Sequence, residues 1–305
     1  MHFNINIKRH SDILRRHLPL LWQVSLYFAV TLCIITAPVS AYCATDVSGS
    51  QQYLEYVDSA DRFLNAGRWV QAEDMIRRAL RVSPGNPCNP LLFSNLGVCL
   101  TAQQKYQEAL QAFEISLIRA PESVNTLISR GKTYIAMERP AEAVADFTEA
   151  LAIDSTLLQP RLLRARLYLT SNHIDKAQDD YEAVLRMHPA EPEGMKGLGN
   201  CGEIKGDYTS AVKHYRTAAE ITQDAESQAD IQVCLARALI ENDQLNEADN
   251  VVREGITRFP RNGMLYLMRA WLHKLRYQLE DEKIDKKMAA EYGVEPQIIE
   301  LFLHD

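Results

Sequence analysis

Residues 197–202 read Gly197-Leu198-Gly199-Asn200-Cys201-Gly202, or GLGNCG. The spelling satisfies G-x-G-x-x-G, whose glycines let a backbone turn tightly against a dinucleotide pyrophosphate. That loop must follow a β-strand directly. What stands before it is RMHPAEPEGMK (residues 186–196), with two prolines and no β-branched run. The glycines need another explanation, and the rest of the chain supplies one.

Ala72, Ala109, Ala143, Ala177, Ala211 and Ala248 recur at intervals of 37, 34, 34, 34 and 37 residues. Four residues after each comes a bulky apolar side chain: Ile76, Phe113, Phe147, Tyr181, Tyr215 and Val252. Three further on stands a slim residue: Ala79, Ser116, Ala150, Val184, Ala218 and Gly255. Twelve before each alanine is another small one: Ala60, Gly97, Gly131, Ala165, Gly199 and Ala236. Pro84, Pro121, Pro189 and Pro260 close four of the copies, with Ser155 and Gln223 in their place in the other two. Small residues let helices approach closely, and bulky ones on the same face fill the space between them. Prolines stop a helix because they lack an N–H and clash with the preceding turn.

On these residues the chain resembles the tetratricopeptide repeat proteins, whose unit is a helix–turn–helix of this length. The resemblance covers 53–262 as six units: 53–86, 90–123, 124–157, 158–191, 192–225 and 229–262. It implies an all-α fold, a right-handed α-solenoid of helix–turn–helix units with a C-terminal capping helix. GLGNCG then falls at the sixth to eleventh positions of the fifth unit, inside its first helix. Gly199 becomes the small packing residue that every copy carries. The longer intervals place extra loop residues at Pro87-Cys88-Asn89 and around Glu226-Ser227-Gln228. Gly194, Gly197, Gly199, Gly202 and Gly206 crowd one element, and each interior glycine costs about 1 kcal/mol against alanine. The fifth unit is thus either a soft segment or a copy that has drifted.

Beyond 262 the stretch GMLYLMRAWLHKL (263–275) reads as one more first helix, with Ala270 in the small slot. The charged RYQLEDEKIDKKMAAEYG after it matches no second helix, so 263–305 is expected to be a cap and tail. Ile298, Ile299, Leu301, Phe302 and Leu303 either pack back on that cap or dock a partner.

Residues 1–44 differ from the rest. Lys8, Arg9, Arg15 and Arg16 face a single acid, Asp12, ahead of an apolar run from Leu18 to Ala37. Small residues Val39-Ser40-Ala41 follow Pro38, as at a secretory cleavage site. The run is also long enough to remain as an anchor, and the two readings stay open. A linker at 45–52 leads to the units. The formal charge of −7 over 305 residues leaves about −10 beyond the leader, which repels phosphate backbones and argues against nucleic-acid binding. Cys88, Cys99, Cys201 and Cys234 show no C-x-x-C or metal spacing and read as small buried hydrophobes. Cys201 and Cys234 are expected to lie too far apart for a disulfide.

The resemblance implies a peptide or protein partner in a concave groove lined by first helices. A chaperone-binding carboxylate clamp would put lysine, asparagine and arginine at second and sixth positions, where only Asn95 fits. Lys132, Arg166, Asn200 and Arg237 share the ninth position and form an expected column for an acidic segment of a partner. Asn95, Lys132, Arg166, Asn200 and Arg237 are therefore the candidate partner-binding residues. No H-E-x-x-H, nucleophile elbow or phosphate loop is present. His188, before Pro189, suits a helix end. The expected protein is an extracytoplasmic, non-catalytic scaffold with no cofactor, no metal and no small-molecule substrate. It would touch a membrane only through an uncleaved leader. The alternatives are a tethered assembly or secretion factor, or the regulatory subunit of an enzyme complex.

Overall fold

The computed structural model describes residues 51–303, which form fifteen helices and no strand. Two compact units divide the described residues near 167, within one helix, and each is taken by itself.

The first unit runs from 51 to 167. It contains α1 (Gln51–Asn65), α2 (Trp69–Val82), α3 (Asn89–Ala102), α4 (Tyr106–Arg119), α5 (Val124–Ala136), α6 (Pro140–Ile153) and most of α7 (Leu158–Thr170). Consecutive helices pair, α1 with α2, α3 with α4 and α5 with α6, and each pair lies against the next. The size pattern of the sequence is the cause. A methyl group on Gly97 would lie 2.6 Å from the Phe113 ring, and one on Gly131 2.7 Å from Phe147. Bulk on the second helix is thus received by a bare backbone on the first. Ala72, Ala109 and Ala143 are fully buried beside these aromatics.

The second unit holds α8 (Ile174–Met187), α9 (Pro192–Lys205), α10 (Tyr208–Ile221), α11 (Ala225–Glu241), α12 (Leu245–Arg258), α13 (Gly263–Leu275), α14 (Leu279–Glu291) and α15 (Pro296–Leu303). GLGNCG lies wholly inside α9. Gly199 receives Tyr215 of its own hairpin, at 2.5 Å from a notional methyl. Gly197 receives Tyr181 from the preceding hairpin, at 2.4 Å. These glycines are contact surfaces, and no strand leads into them.

One turn geometry recurs in all seven hairpins. The residue between paired helices is left-handed: Gly67, Gln104, Glu138, Asn172, Gly206, Asp243 and Tyr277, with φ from 57° to 76°. The next N–H reaches back to the helix end, as in Arg68 to Phe63 O at 2.8 Å and Gln278 to His273 O at 2.9 Å. That is the Schellman closure, which satisfies the last carbonyls of the first helix. Gly206 therefore belongs to the turn. It lies just past α9, apart from the interior glycines of that helix.

Three boundaries differ from expectation. Gln51 and Gln52 are helical rather than linker. Glu226, Ser227 and Gln228 form the first turn of α11 rather than a loop, because the Asp224 carboxylate accepts from the N–H groups of Glu226 and Ser227 and starts the helix early. Residues 263–291 fold as a seventh hairpin, so the charged stretch is a second helix. In α14, Glu282 fills the slot of the repeat alanine and pairs with Lys286, while Ala289 keeps the slim slot. Arg269 binds Asp285 across this hairpin at 2.8 and 2.6 Å, with the same sixteen-residue spacing as Arg130 and Asp146 at 2.9 and 2.7 Å.

The tail packs back. Phe302 is fully buried, its ring edge-on to Trp271 at 5.6 Å, and Lys274 Nζ donates to Leu303 O at 2.8 Å. No described helix is long and apolar enough to cross a membrane. The leader at 1–44 and the residues to 50 lie outside the described residues.

Candidate functional site

In the first unit the first helices α3 and α5 lie against each other, and in the second the first helices α11 and α13 do, with the tail helix α15 beside α13. The candidate residues lie on first helices: Asn95 on α3, Lys132 on α5, Arg166 on α7, Asn200 on α9 and Arg237 on α11.

In the first unit Asn95 is almost wholly buried on α3, while Lys132 on α5 and Arg166 on α7 are half-buried. Lys132 borders a recess of about 20 Å³ between α3 and α5, shared with Val98, Thr101, Phe113, Ser129 and Thr133. The second helix α2 is tied by charge to the next hairpin, through Arg77 to Glu108 at 3.4 Å and through Glu73 to the turn before α4. Glu73 accepts from Arg77 at 2.8 Å, Gln103 at 2.8 Å and Lys105 at 3.2 Å. Burial raises the Glu73 carboxyl, but these three donors outweigh it and the net shift is downward.

In the second unit the ninth-position residues have another task. Arg237, 4% exposed, holds Glu203 through Nε at 3.0 Å and Nη2 at 2.6 Å. The Tyr215 hydroxyl sits 2.6 Å from Asn200 Oδ1 and 2.9 Å from Glu203 Oε2, donating to one at a time. Burial, reinforced by the Glu203 charge, drives the Tyr215 phenol far above its ordinary value. Burial works against the Arg237 charge, and the Glu203 carboxylate more than offsets it. The expected column thus breaks here: the acid that Arg237 meets is Glu203, inside the fold. Sequence spacing could not separate a guanidinium facing a groove from one facing an acid 34 residues earlier. On the accessible part of this unit's first helices, Lys196 pairs with Asp230.

Cys99, Cys201 and Cys234 are buried free thiols, each pushed up to about 12 by burial. Cys88 is free and half-buried. His188 terminates α8, its N–H bonded to Val184 O at 2.7 Å. Among the described residues no group of three metal-binding side chains gathers.

Part of these hairpins resembles known proteins. Residues 90–156 and 162–226 match family models described as tetratricopeptide repeat. DnaJ homolog subfamily C member 3 of mouse is 30% identical over 98 residues, 32% of this chain and 19% of that protein. The human protein of that name is 29% identical over 147 residues, 43% of this chain and 29% of its own length. The Hsp70-Hsp90 organizing protein of wheat is 24% identical over 101 residues, 33% of this chain and 17% of that protein. The matched segments thus span less than a third of these relatives. Among solved structures, a tetratricopeptide repeat protein from Parabacteroides merdae superposes with a TM-score of 0.65 at 22% identity, over 83% of this chain and 98% of that one. MamA from Desulfovibrio magneticus gives 0.52 at 17%, over 57% and 97%. At these identities the structures speak for the fold alone. The described chain is an all-α stack of paired helices, and tetratricopeptide repeats make up residues 90–156 and 162–226.

Proposed function

We propose that this protein is an exported, non-catalytic scaffold that holds a partner peptide or protein against the first-helix faces of its hairpins. The supporting observation is the sevenfold return of one hairpin with one turn geometry, which within each unit brings equivalent side chains onto neighbouring hairpins. Such stacking creates an extended surface, and its variable positions choose the partner. In the first unit that surface carries Lys132 and Arg166, which suit an acidic segment. Asn200 and Arg237 contribute by fixing α9, α10 and α11 to one another.

Export rests on the basic segment, the apolar run and the small residues up to Ala41. The mass of the mature amino terminus tests it: a start beyond Ala41 supports release, and an intact Leu18–Ala37 run moves the reading to a tethered assembly or secretion factor. The proteins named DnaJ homolog and Hsp70-Hsp90 organizing protein favour a second reading, a role beside chaperones. Against a carboxylate clamp stands the lack of lysine or arginine at the second and sixth positions, so such a partner would have to be held differently. Charge reversal by Lys132→Glu with Arg166→Glu tests the acidic-partner reading in a pull-down from the native compartment. Loss of the captured partner supports it, and unchanged capture removes it.

A further inference from the structure

We propose that the open recess of the first hairpin, lined by Tyr56 of α1 and Arg78, Arg81 and Val82 of α2, is a docking point for a partner segment that carries an acidic side chain two residues from an aromatic one. It lies on a different hairpin from the candidate residues and goes beyond the first-helix surface proposed above.

At about 300 Å³ the recess stands at the small end of the range of ligand sites, and it opens to solvent. Its lining is not what the repeat needs for packing. The positions of Arg78, Arg81 and Val82 hold Ile115, Ile118 and Arg119 in the second hairpin and Glu149, Ala152 and Ile153 in the third. Among the seven hairpins only the first brings two arginines there.

The charges in the recess do not balance. Arg78 is held by Asp74 at 2.9 Å, and its guanidinium carbon stands 6.0 Å from the centre of the Tyr56 ring. Arg81 is three residues on, hence on the same helix face. It is exposed and has no carboxylate partner among the described residues. One uncompensated positive charge thus sits beside a half-buried aromatic ring and the Val82 isopropyl group.

That combination selects its ligand. A carboxylate balances Arg81, whereas a phosphate dianion would bring a second charge towards Asp74 and be repelled. An aromatic ring gains the Tyr56 and Val82 surfaces and adds a second cation–π contact to Arg78. Arg78 and Arg81 are one helical turn apart. In an extended segment, residues two apart point to the same side at about 6.7 Å, so a glutamate can meet Arg81 while the ring meets Arg78.

The test titrates the full chain with the blocked peptide acetyl-Gly-Glu-Gly-Phe-Gly-amide and follows amide chemical shifts. Saturable shifts centred on residues 52–56 and 78–82 are expected. Lysine in place of the peptide's glutamate should abolish them, and glycine in place of its phenylalanine should weaken binding about fivefold. Arg81→Met keeps an apolar stem at an exposed position and should weaken the glutamate peptide about tenfold without changing thermal unfolding. Arg81→Glu should turn the preference to the lysine peptide. Inorganic phosphate at matched ionic strength should leave the peptide bound. Equal binding of the two peptides, undiminished binding to Arg81→Met, displacement by phosphate, shifts that map elsewhere or no saturable shift would each overturn the docking point.

Discussion

Arg237 of α11 closes a two-point grip on Glu203 of α9, at 3.0 and 2.6 Å, with both side chains out of water. The pair joins the fifth hairpin to the sixth. Removing one partner strands the other charge, so Arg237→Met or Glu203→Leu alone should cost about 3–5 kcal/mol. The double variant Glu203→Leu with Arg237→Met should regain most of that loss. Urea unfolding of the four proteins measures it. Additive losses would show that the grip is not what holds these helices in register.

Gly197 faces the Tyr181 ring and Gly199 the Tyr215 ring, at 2.4 and 2.5 Å from a notional methyl. Helix propensity favours alanine at both by about 1 kcal/mol, but overpacking a filled contact typically costs about 1–3 kcal/mol. Gly197→Ala and Gly199→Ala are therefore expected to destabilise. Gly85→Ala, with nothing within 4 Å, should be close to neutral. Stabilisation by either α9 variant would return the fifth unit to the soft-segment reading.

The left-handed turn residue offers a stability gain. A side chain in that conformation costs about 1–2 kcal/mol, which glycine avoids. Tyr277→Gly and Glu138→Gly should raise the unfolding free energy by about 0.5–1 kcal/mol, and Gly206→Ala should lower it by about 1–2 kcal/mol. Thermal unfolding of the three variants decides the matter, and a loss in both glycine variants would contradict the turn assignment.

Burial of Cys99, Cys201 and Cys234 sets a pH limit. Each folded thiol is pushed from 9.0 to about 12, so unfolded thiols ionise first. Their contribution is complete below pH 9 and declines as pH climbs from 9 towards 12. Native protein at pH 8 should resist iodoacetamide at these three positions and react at all of them in urea, as peptide mapping would show. Native labelling at Cys201 or Cys234 would place them elsewhere.

Much of the fold was legible because side-chain volume repeats: Phe113 needs Gly97, Phe147 needs Gly131, and the two lie a fixed distance apart in sequence. The seventh second helix was missed because Glu282 and Lys286 occupy slots that hold alanine and an apolar residue elsewhere. A charged pair can fill the same space without advertising it. The surviving signals were Ala289, in register with Gly255, and the Arg269–Asp285 spacing shared with Arg130–Asp146. At the candidate site, sequence brought Lys132, Arg166, Asn200 and Arg237 to one helical position but carried no information on depth. Glu203 took Arg237 inward, and the recess beside Lys132 arises from packing between α3 and α5.

The most direct measurement of the scaffold reading is photo-cross-linking of the full chain in its native compartment. The photoreactive residue would stand at Asn125 or Glu193 on first helices, and at Glu114 or Asp179 on exposed second-helix faces. The account predicts a discrete partner adduct from Asn125, from Glu193 or from both, and none from Glu114 or Asp179. Adducts only from the second-helix positions would contradict it.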